Sequence, residues 1–385
     1  MNILFLEAVQ DHGGARKSTI ELAYRLKKNG ENILFVDLYG TNNEFLLEIK
    51  ENDLEYNVLK KREKPFILGN KNKFIQLKNY IVFLIETVFL KSKLDGIIKD
   101  FKPNFVFVNG TKTLSILPNN SSYKTVFFAR GWFIKSQLSK MDIFLLKKKV
   151  DLFLAVSQST RHALFCNQIT ELENIYVVKN GIDLNPINKV ELDDNKSELI
   201  LLHSGGFLPS KGHHISIEIS KKLKESGIDH HLYLTGKIYK EAESMEYYDA
   251  ILKLIEKHGL GNEIDIVVNK NNIQPYFEKA DIFIHPSDTE GLPRVVMEAM
   301  ANMCVVIANA VGGVTDYILD GYTGYITDFN DVDSYVSKIK HLINNSIEKK
   351  EVTERAFSLI KQCYTGDIQL KEITRILEKE ITSVK

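Results

Sequence analysis

Three cysteines, at positions 166, 304 and 363, are all that 385 residues contain. So few, so far apart, they exclude a disulfide-stapled scaffold and a four-cysteine zinc site, and they point to a reducing cytosol. Net charge is missing too, because 50 basic side chains meet 50 acidic ones. That removes the global electrostatic case for nucleic acid as a partner. No apolar run is long and uncharged enough to span a bilayer; the strongest, Phe74 to Leu94, carries Lys78 and Glu86. No His/Cys/Asp cluster has metal-ligand spacing and no Asp-x-Asp follows a strand, so neither a metal nor another cofactor is expected. Short-period repeats and low-complexity segments are absent as well. The opening MNILFLEAV has no basic flank before its apolar run and reads as a first strand, not a signal peptide.

What is present is a soluble, globular composition, 44% hydrophobic and 26% charged, long enough for two or three domains. Apolar strands alternate with helical stretches. Ile3–Leu6, Ile33–Asp37, Phe105–Val108, Lys124–Phe128, Leu152–Val156 and Asn174–Val178 form a first set, with a helix over 18–29 stopped by Gly30. After a polar linker over 186–198 comes a second set: Leu199–Leu202, Leu232–Leu234, Ile264–Val268, Ile282–Ile284 and Val305–Ala308. A helix over 213–226 stops at Gly227. Repeated strand–helix units predict parallel, doubly wound sheets, and two successive α/β domains predict a cleft between them.

The chain is organised around residues 280–318. The strand Ile282–Ile284 runs into His285-Pro286-Ser287-Asp288, then Glu290, Gly291-Leu292-Pro293 and a helix to about Asn302. Proline suits the first helical position, where its missing N–H costs nothing. Glu298 then lies roughly 7–8 Å along the helix from Pro293. A helix N-terminus offers unpaired N–H groups and a partial positive charge to phosphate. A diphosphate there would leave Glu290 beside one substituent and Glu298 beside the other, and a carboxylate matches paired sugar hydroxyls. The stretch reads as a nucleotide-sugar clamp.

SDTEGLPRVVMEAMA with VGGVTDYI downstream resembles the donor-site signature of retaining glycosyltransferases of family 4, glycosyl transferases group 1, which have the GT-B fold. That resemblance implies two doubly wound Rossmann-like domains facing a cleft. Residues 1–185 would form the acceptor-side domain, rejoined by a C-terminal helix over 365–385, and 186–364 the donor-binding domain. It assigns Glu290 to the donor sugar and Glu298 to the ribose. Gly291, Leu292 and Pro293 join the donor site, with helix N-terminal amides near 291–292 stabilising the leaving diphosphate. In His203-Ser204-Gly205-Gly206-Phe207 and Lys211-Gly212 the family pattern places an arginine where Gly206 stands, so Lys211 alone would neutralise phosphate, unless it is a solvated loop lysine. Arg130 stands where relatives often have histidine; it either reaches the phosphates or an anionic acceptor, or serves as a structural salt-bridge partner. Gly14 matches the family's glycine-rich loop, Gly236 would let a nucleobase approach the backbone, and Asn180-Gly181-Ile182-Asp183 reads as scaffold. Asn302 replaces a helix-ending glycine, and Asp316 a commoner glutamate.

The implied activity is metal-independent, retaining transfer of a hexose-type sugar from a nucleotide diphosphate donor, a UDP-sugar, to an acceptor hydroxyl. The acceptor would be a carbohydrate or a lipid-linked glycan, in surface polysaccharide or glycolipid assembly. A nucleotide-sugar epimerase and a catalytically inactive nucleotide-sugar-binding protein of the same fold are the alternatives. A P-loop ATPase comes last among the alternatives, because Arg16 stands where glycine must precede the lysine. Residues 74–94 and 132–150, apolar and edged by Lys135, Lys140 and Lys147–Lys149, suit either an anionic inner membrane face or ordinary helices with solvated lysines.

Overall fold

A computed structural model describes residues 1–10, 13–63, 72–119, 122–132, 138–184, 198–270 and 272–382. All but the last residue of the polar linker, and Lys135, lie outside them. The chain divides into two compact units, Met1–Lys179 with Gln369–Lys385, and Asn180–Ile368.

In the first unit the strands are β1 Asn2–Glu7, β2 Asn32–Asp37, β3 Glu55–Val58, β4 Phe105–Val108, β5 Lys124–Ala129, β6 Leu152–Ala155 and β7 Ile175–Val177. They form one parallel sheet in the order β3-β2-β1-β4-β5-β6-β7. Near-continuous Ile, Leu, Val and Phe suit strands covered on both faces. Register adds an aromatic row: Phe5 pairs with Phe35 on one side and Phe107 on the other, each with ring centroids 5.0 Å apart. Each of these rings is at most 1% exposed, burial worth about 1.5–3 kcal/mol apiece. The helices are α1 Gly14–Lys28, α2 Asn43–Glu51, α3 Lys73–Phe101, α4 Thr111–Ile116, α5 Lys140–Lys149 and α6 Gln158–Cys166. α1 starts four residues before Ser18 because the Gly13 carbonyl already accepts from the amides of Arg16 and Lys17.

In the second unit the strands are β8 Leu199–Ser204, β9 His230–Gly236, β10 Ile264–Val268, β11 Ile282–His285, β12 Val305–Asn309 and β13 Tyr325–Thr327. The parallel order is β10-β9-β8-β11-β12-β13, so the chain winds outward from β8 in one direction and returns to lay β11 on its other side. Ligands of open α/β sheets bind outside the carboxyl ends of the strands at such a reversal. The helices are α7 His213–Glu225, α8 Ala242–His258, α9 Gln274–Lys279, α10 Arg294–Ala301, α11 Val332–Ile343 and α12 Ser346–Cys363. α13, Gly366–Thr382, carries the chain back into the first unit, where Glu380 pairs with Lys124 at 2.7 Å and Gln369 donates to the Lys179 carbonyl.

α10 ends differently from the sequence expectation. Asn302 has φ −99°, and Met303 is the left-handed residue, at φ +57°. Asn302 stays right-handed because its side-chain amide donates back to the Glu298 carbonyl and accepts from Gln274.

Candidate functional site

At the β8/β11 reversal, the carboxyl end of β8 leads through Gly205-Gly206 to a 3-10 turn, Pro209–Lys211. Gly212 follows at φ +75°, where a Cβ would sit 2.2 Å from the Pro286 carbonyl oxygen. Only glycine allows that approach, and it brings Lys211 alongside the polar end of β11. The Lys211 Nζ donates to Glu290 Oε1 at 2.6 Å. Ser287 Oγ lies 2.8 Å from the same oxygen and His285 Nε2 lies 3.3 Å from it. The Glu290 side chain is 12% exposed. Burial alone would raise its pKa; the Lys211 charge and His285 outweigh burial and hold the carboxyl well below the usual carboxylate range. All these contacts converge on Oε1, and Oε2 has no hydrogen-bond partner among the described residues.

The turn after Glu290 is fixed through its carbonyls. Gly313 N–H donates to the Gly291 carbonyl at 2.9 Å, Asn180 Nδ2 to that of Leu292 at 3.0 Å, and the Tyr317 hydroxyl to that of Pro293 at 3.1 Å. Gly312, at φ +53°, lies so close that a Cβ would sit 1.8 Å from the Glu290 carbonyl oxygen. Glycine is thus required at 312 for backbone-on-backbone packing against the glutamate turn. The amides of Gly291 and Leu292 meet no acceptor among the described residues. Carbonyls held and amides open, just before α10, leave backbone donors of the kind that bind anions. Inside α10, Glu298 Oε1 lies 3.6 Å from Arg294, which also donates to the Gly181 carbonyl at 3.3 Å.

Two glycines have causes internal to the protein. A Cβ at Gly206 would sit 2.5 Å from the Tyr239 ring, so that ring fills the space where the family pattern puts an arginine side chain. A Cβ at Gly236 would sit 1.9 Å from the Gly205 carbonyl oxygen, which requires glycine there whatever the ligand. Under the Lys211 loop, the His213 ring stacks between His203 and Phe207 at centroid distances of 4.2 and 4.3 Å. Burial pushes the His213 pKa down to about 3 against the pull of the Thr235 and Gly205 backbones, and pushes that of His203 well below its usual value.

Gly14 and Arg130 belong to the first unit. Gly14 is exposed, with open space where a Cβ would be. The Arg130 guanidinium lies over the Phe128 ring at 4.1 Å. Nearby, buried Glu7 at the end of β1 pairs with Arg16 at 2.6 Å; burial raises its pKa, opposed by Arg16, Asn109 and Arg130. Among the described residues no group of three or more His, Cys, Asp or Glu side chains is arranged to hold a metal ion.

Sequence reasoning missed His285, Ser287 and Tyr239. The first two were visible as polar residues ending an apolar strand one turn before Glu290. Nothing in the sequence marked Tyr239.

Two parallel Rossmann-like units, the second carrying a lysine–glutamate pair at its strand reversal, give the chain the GT-B fold. Residues 185–358 match the model of the family described as Glycosyl transferases group 1. It is 23% identical over 312 residues, 74% of this chain and 79% of the relative, to the capsular polysaccharide biosynthesis glycosyltransferase CapM of Staphylococcus aureus. It is 22% identical to a poly(ribitol-phosphate) alpha-N-acetylglucosaminyltransferase of the same species, covering 80% of this chain and 60% of that one. Among solved structures, Anabaena HepE in complex with UDP and glucose superposes with a TM-score of 0.80 at 18% identity, over 98% of this chain and 100% of that one.

Proposed function

We propose that this glycosyltransferase moves a hexose-type sugar from a UDP-sugar to an acceptor hydroxyl with retention and without a metal, in the assembly of a surface polysaccharide or glycolipid. The observation that carries the reading is the division of labour at Glu290: one carboxylate oxygen is saturated by Lys211, Ser287 and His285, and the other is left for a ligand. An ionised carboxylate with a single free oxygen is a directed acceptor for sugar hydroxyls. The open amides of Gly291 and Leu292, with Lys211, face charge that develops on the leaving diphosphate, stabilisation of the oxyanion-hole kind. Glu298, a turn further along α10, takes the ribose hydroxyls. A diphosphate leaves without a general acid, and retention follows from front-face attack in which the leaving phosphate takes the acceptor proton. UDP in a complex of HepE, and the capsular polysaccharide and poly(ribitol-phosphate) named for the staphylococcal relatives, support the donor and acceptor classes.

Tyr239 in the place of a second phosphate-binding cation favours one other reading, a nucleotide-sugar-binding protein without turnover. A panel of UDP-, GDP- and ADP-sugars, with and without chelator, separates the two. Release of UDP from a UDP-hexose in the presence of chelator is expected. Tight donor binding with no hydrolysis or transfer would establish the second reading, and loss of activity with chelator would remove metal independence.

A further inference from the structure

α3 is apolar on two opposite faces. Phe83, Leu90, Leu94 and Ile98 face inward, each at most 7% exposed, and join the core of the first unit. Asn72 caps the helix by accepting from the Phe74 amide, and Lys102 at φ +49° ends it before Pro103. The outward face is as hydrophobic as the inward one. Phe74, Leu77, Ile81, Leu84, Ile85 and Val88 recur at three- and four-residue spacing and are between 49% and 86% exposed. At 1.5 Å per residue this stripe runs roughly 21 Å along the helix. Six large apolar side chains in one row exceed the scattered exposure ordinary for a surface, and an uncovered row of this kind marks an interaction site.

The charges around the stripe choose the partner. Lys73, Lys78, Lys91 and Lys93 are exposed on this helix. The only acidic side chain between 72 and 94 is Glu86, which is 7% exposed and turned inward to Lys60 and Arg62. α5 repeats the pattern, with Met141 and Phe144 more than half exposed beside Lys140, Lys147 and Lys148. Both helices pack on α4: Lys149 of α5 donates to the Leu114 and Leu117 carbonyls at 2.8 and 2.6 Å, and Leu90 and Leu94 of α3 share one core with Leu114 and with Leu146 of α5. No described helix is long and apolar enough to cross a membrane. A second copy of this chain on the same face would set lysine rows against each other. We infer that the outer faces of α3 and α5 dock flat on an anionic lipid bilayer, apolar side chains entering the headgroup boundary and lysines meeting the lipid charge.

Sedimentation of the full chain with phosphatidylcholine vesicles, with and without about one-third phosphatidylglycerol, tests this. Binding to the anionic vesicles alone, released on raising salt from roughly 0.1 to 0.5 M, is expected. Leu84→Glu/Val88→Glu should abolish it, and Lys78→Glu/Lys91→Glu should weaken it at least about twentyfold, near fivefold for each lysine lost. All four positions are exposed, and an unchanged melting temperature confirms that the variants fold. No pelleting with anionic vesicles, or variants that pellet like the parent, would overturn the assignment. So would a wild-type dimer in light scattering that Leu84→Glu/Val88→Glu dissociates, since a second copy would then cover the face.

Discussion

Lys211 and Glu290 lie 79 positions apart in sequence and 2.6 Å apart in space, one from the loop after β8 and the other from the loop after β11. The Lys211 charge, with His285, outweighs burial and favours the ionised glutamate, and the pairing fixes where the cation stands. If the turn takes a diphosphate as proposed, the lysine is already positioned and little ordering cost remains at the moment of binding.

Lys211→Gln retains a donor within reach of Glu290 and removes only the charge. A charge-assisted hydrogen bond is worth about 1.5–3 kcal/mol. The expected outcome is a fall of roughly ten- to a hundredfold in kcat/KM for the donor, with a melting temperature close to that of the parent. Unchanged kcat/KM would mean that Lys211 serves the Glu290 turn alone.

Glu298→Ala should weaken binding of the bare nucleoside diphosphate by about 1–3 kcal/mol, read by calorimetry, through loss of the ribose acceptor. The fold should tolerate the change, because the Arg294 contact at 3.6 Å is a partly exposed i,i+4 pair worth about 0.3–0.5 kcal/mol. A folded variant with unchanged affinity would remove Glu298 from the site.

Acid should destabilise the second unit before it unfolds the chain generally. His213 has an unfolded pKa of 6.5 and a folded one of about 3. Between those values the unfolded state binds a proton that the native state does not, so stability rises with pH across the window and is lost as pH falls. Each such ring contributes up to about 1.4 kcal/mol per pH unit, and His203 acts in the same sense. Depression of the Glu290 pKa adds stability that is lost only as pH falls below 4.5. His213→Phe keeps the stack with His203 and Phe207, and should flatten the dependence of melting temperature on pH between 4.5 and 6.5. An unaltered slope would contradict this source of acid lability.

Much of the second unit was legible in the sequence because its strands are short, apolar and bounded by glycine. Ile264–Val268 matches its predicted span, and Ile282–Ile284 falls one residue short. β3 and β13 escaped notice: Glu-Tyr-Asn-Val is half exposed at a sheet edge, and Tyr-Ile-Thr is only three residues long. At the site, glycine and glutamate spacing could be read locally, and Ser287 and His285 stand within five residues of Glu290, but the pairing with Lys211 could not be read. Lys211 meets the same oxygen only because β8 and β11 are neighbours, and sheet order is set by long-range packing. The same limit hid Tyr239. A glycine at 206 looks like a missing arginine until the ring that fills its space is seen.

Partition of the effect of Glu290→Gln tests the central claim most directly. Transfer kinetics with a UDP-sugar and calorimetry with UDP should be run on parent and variant. The expected result is a kcat reduced about a hundredfold or more, as for loss of a group that acts in the transition state, with UDP affinity within about threefold of the parent. Equal loss of UDP affinity and of transfer would contradict it, placing Glu290 in the nucleotide-holding framework instead of at the sugar.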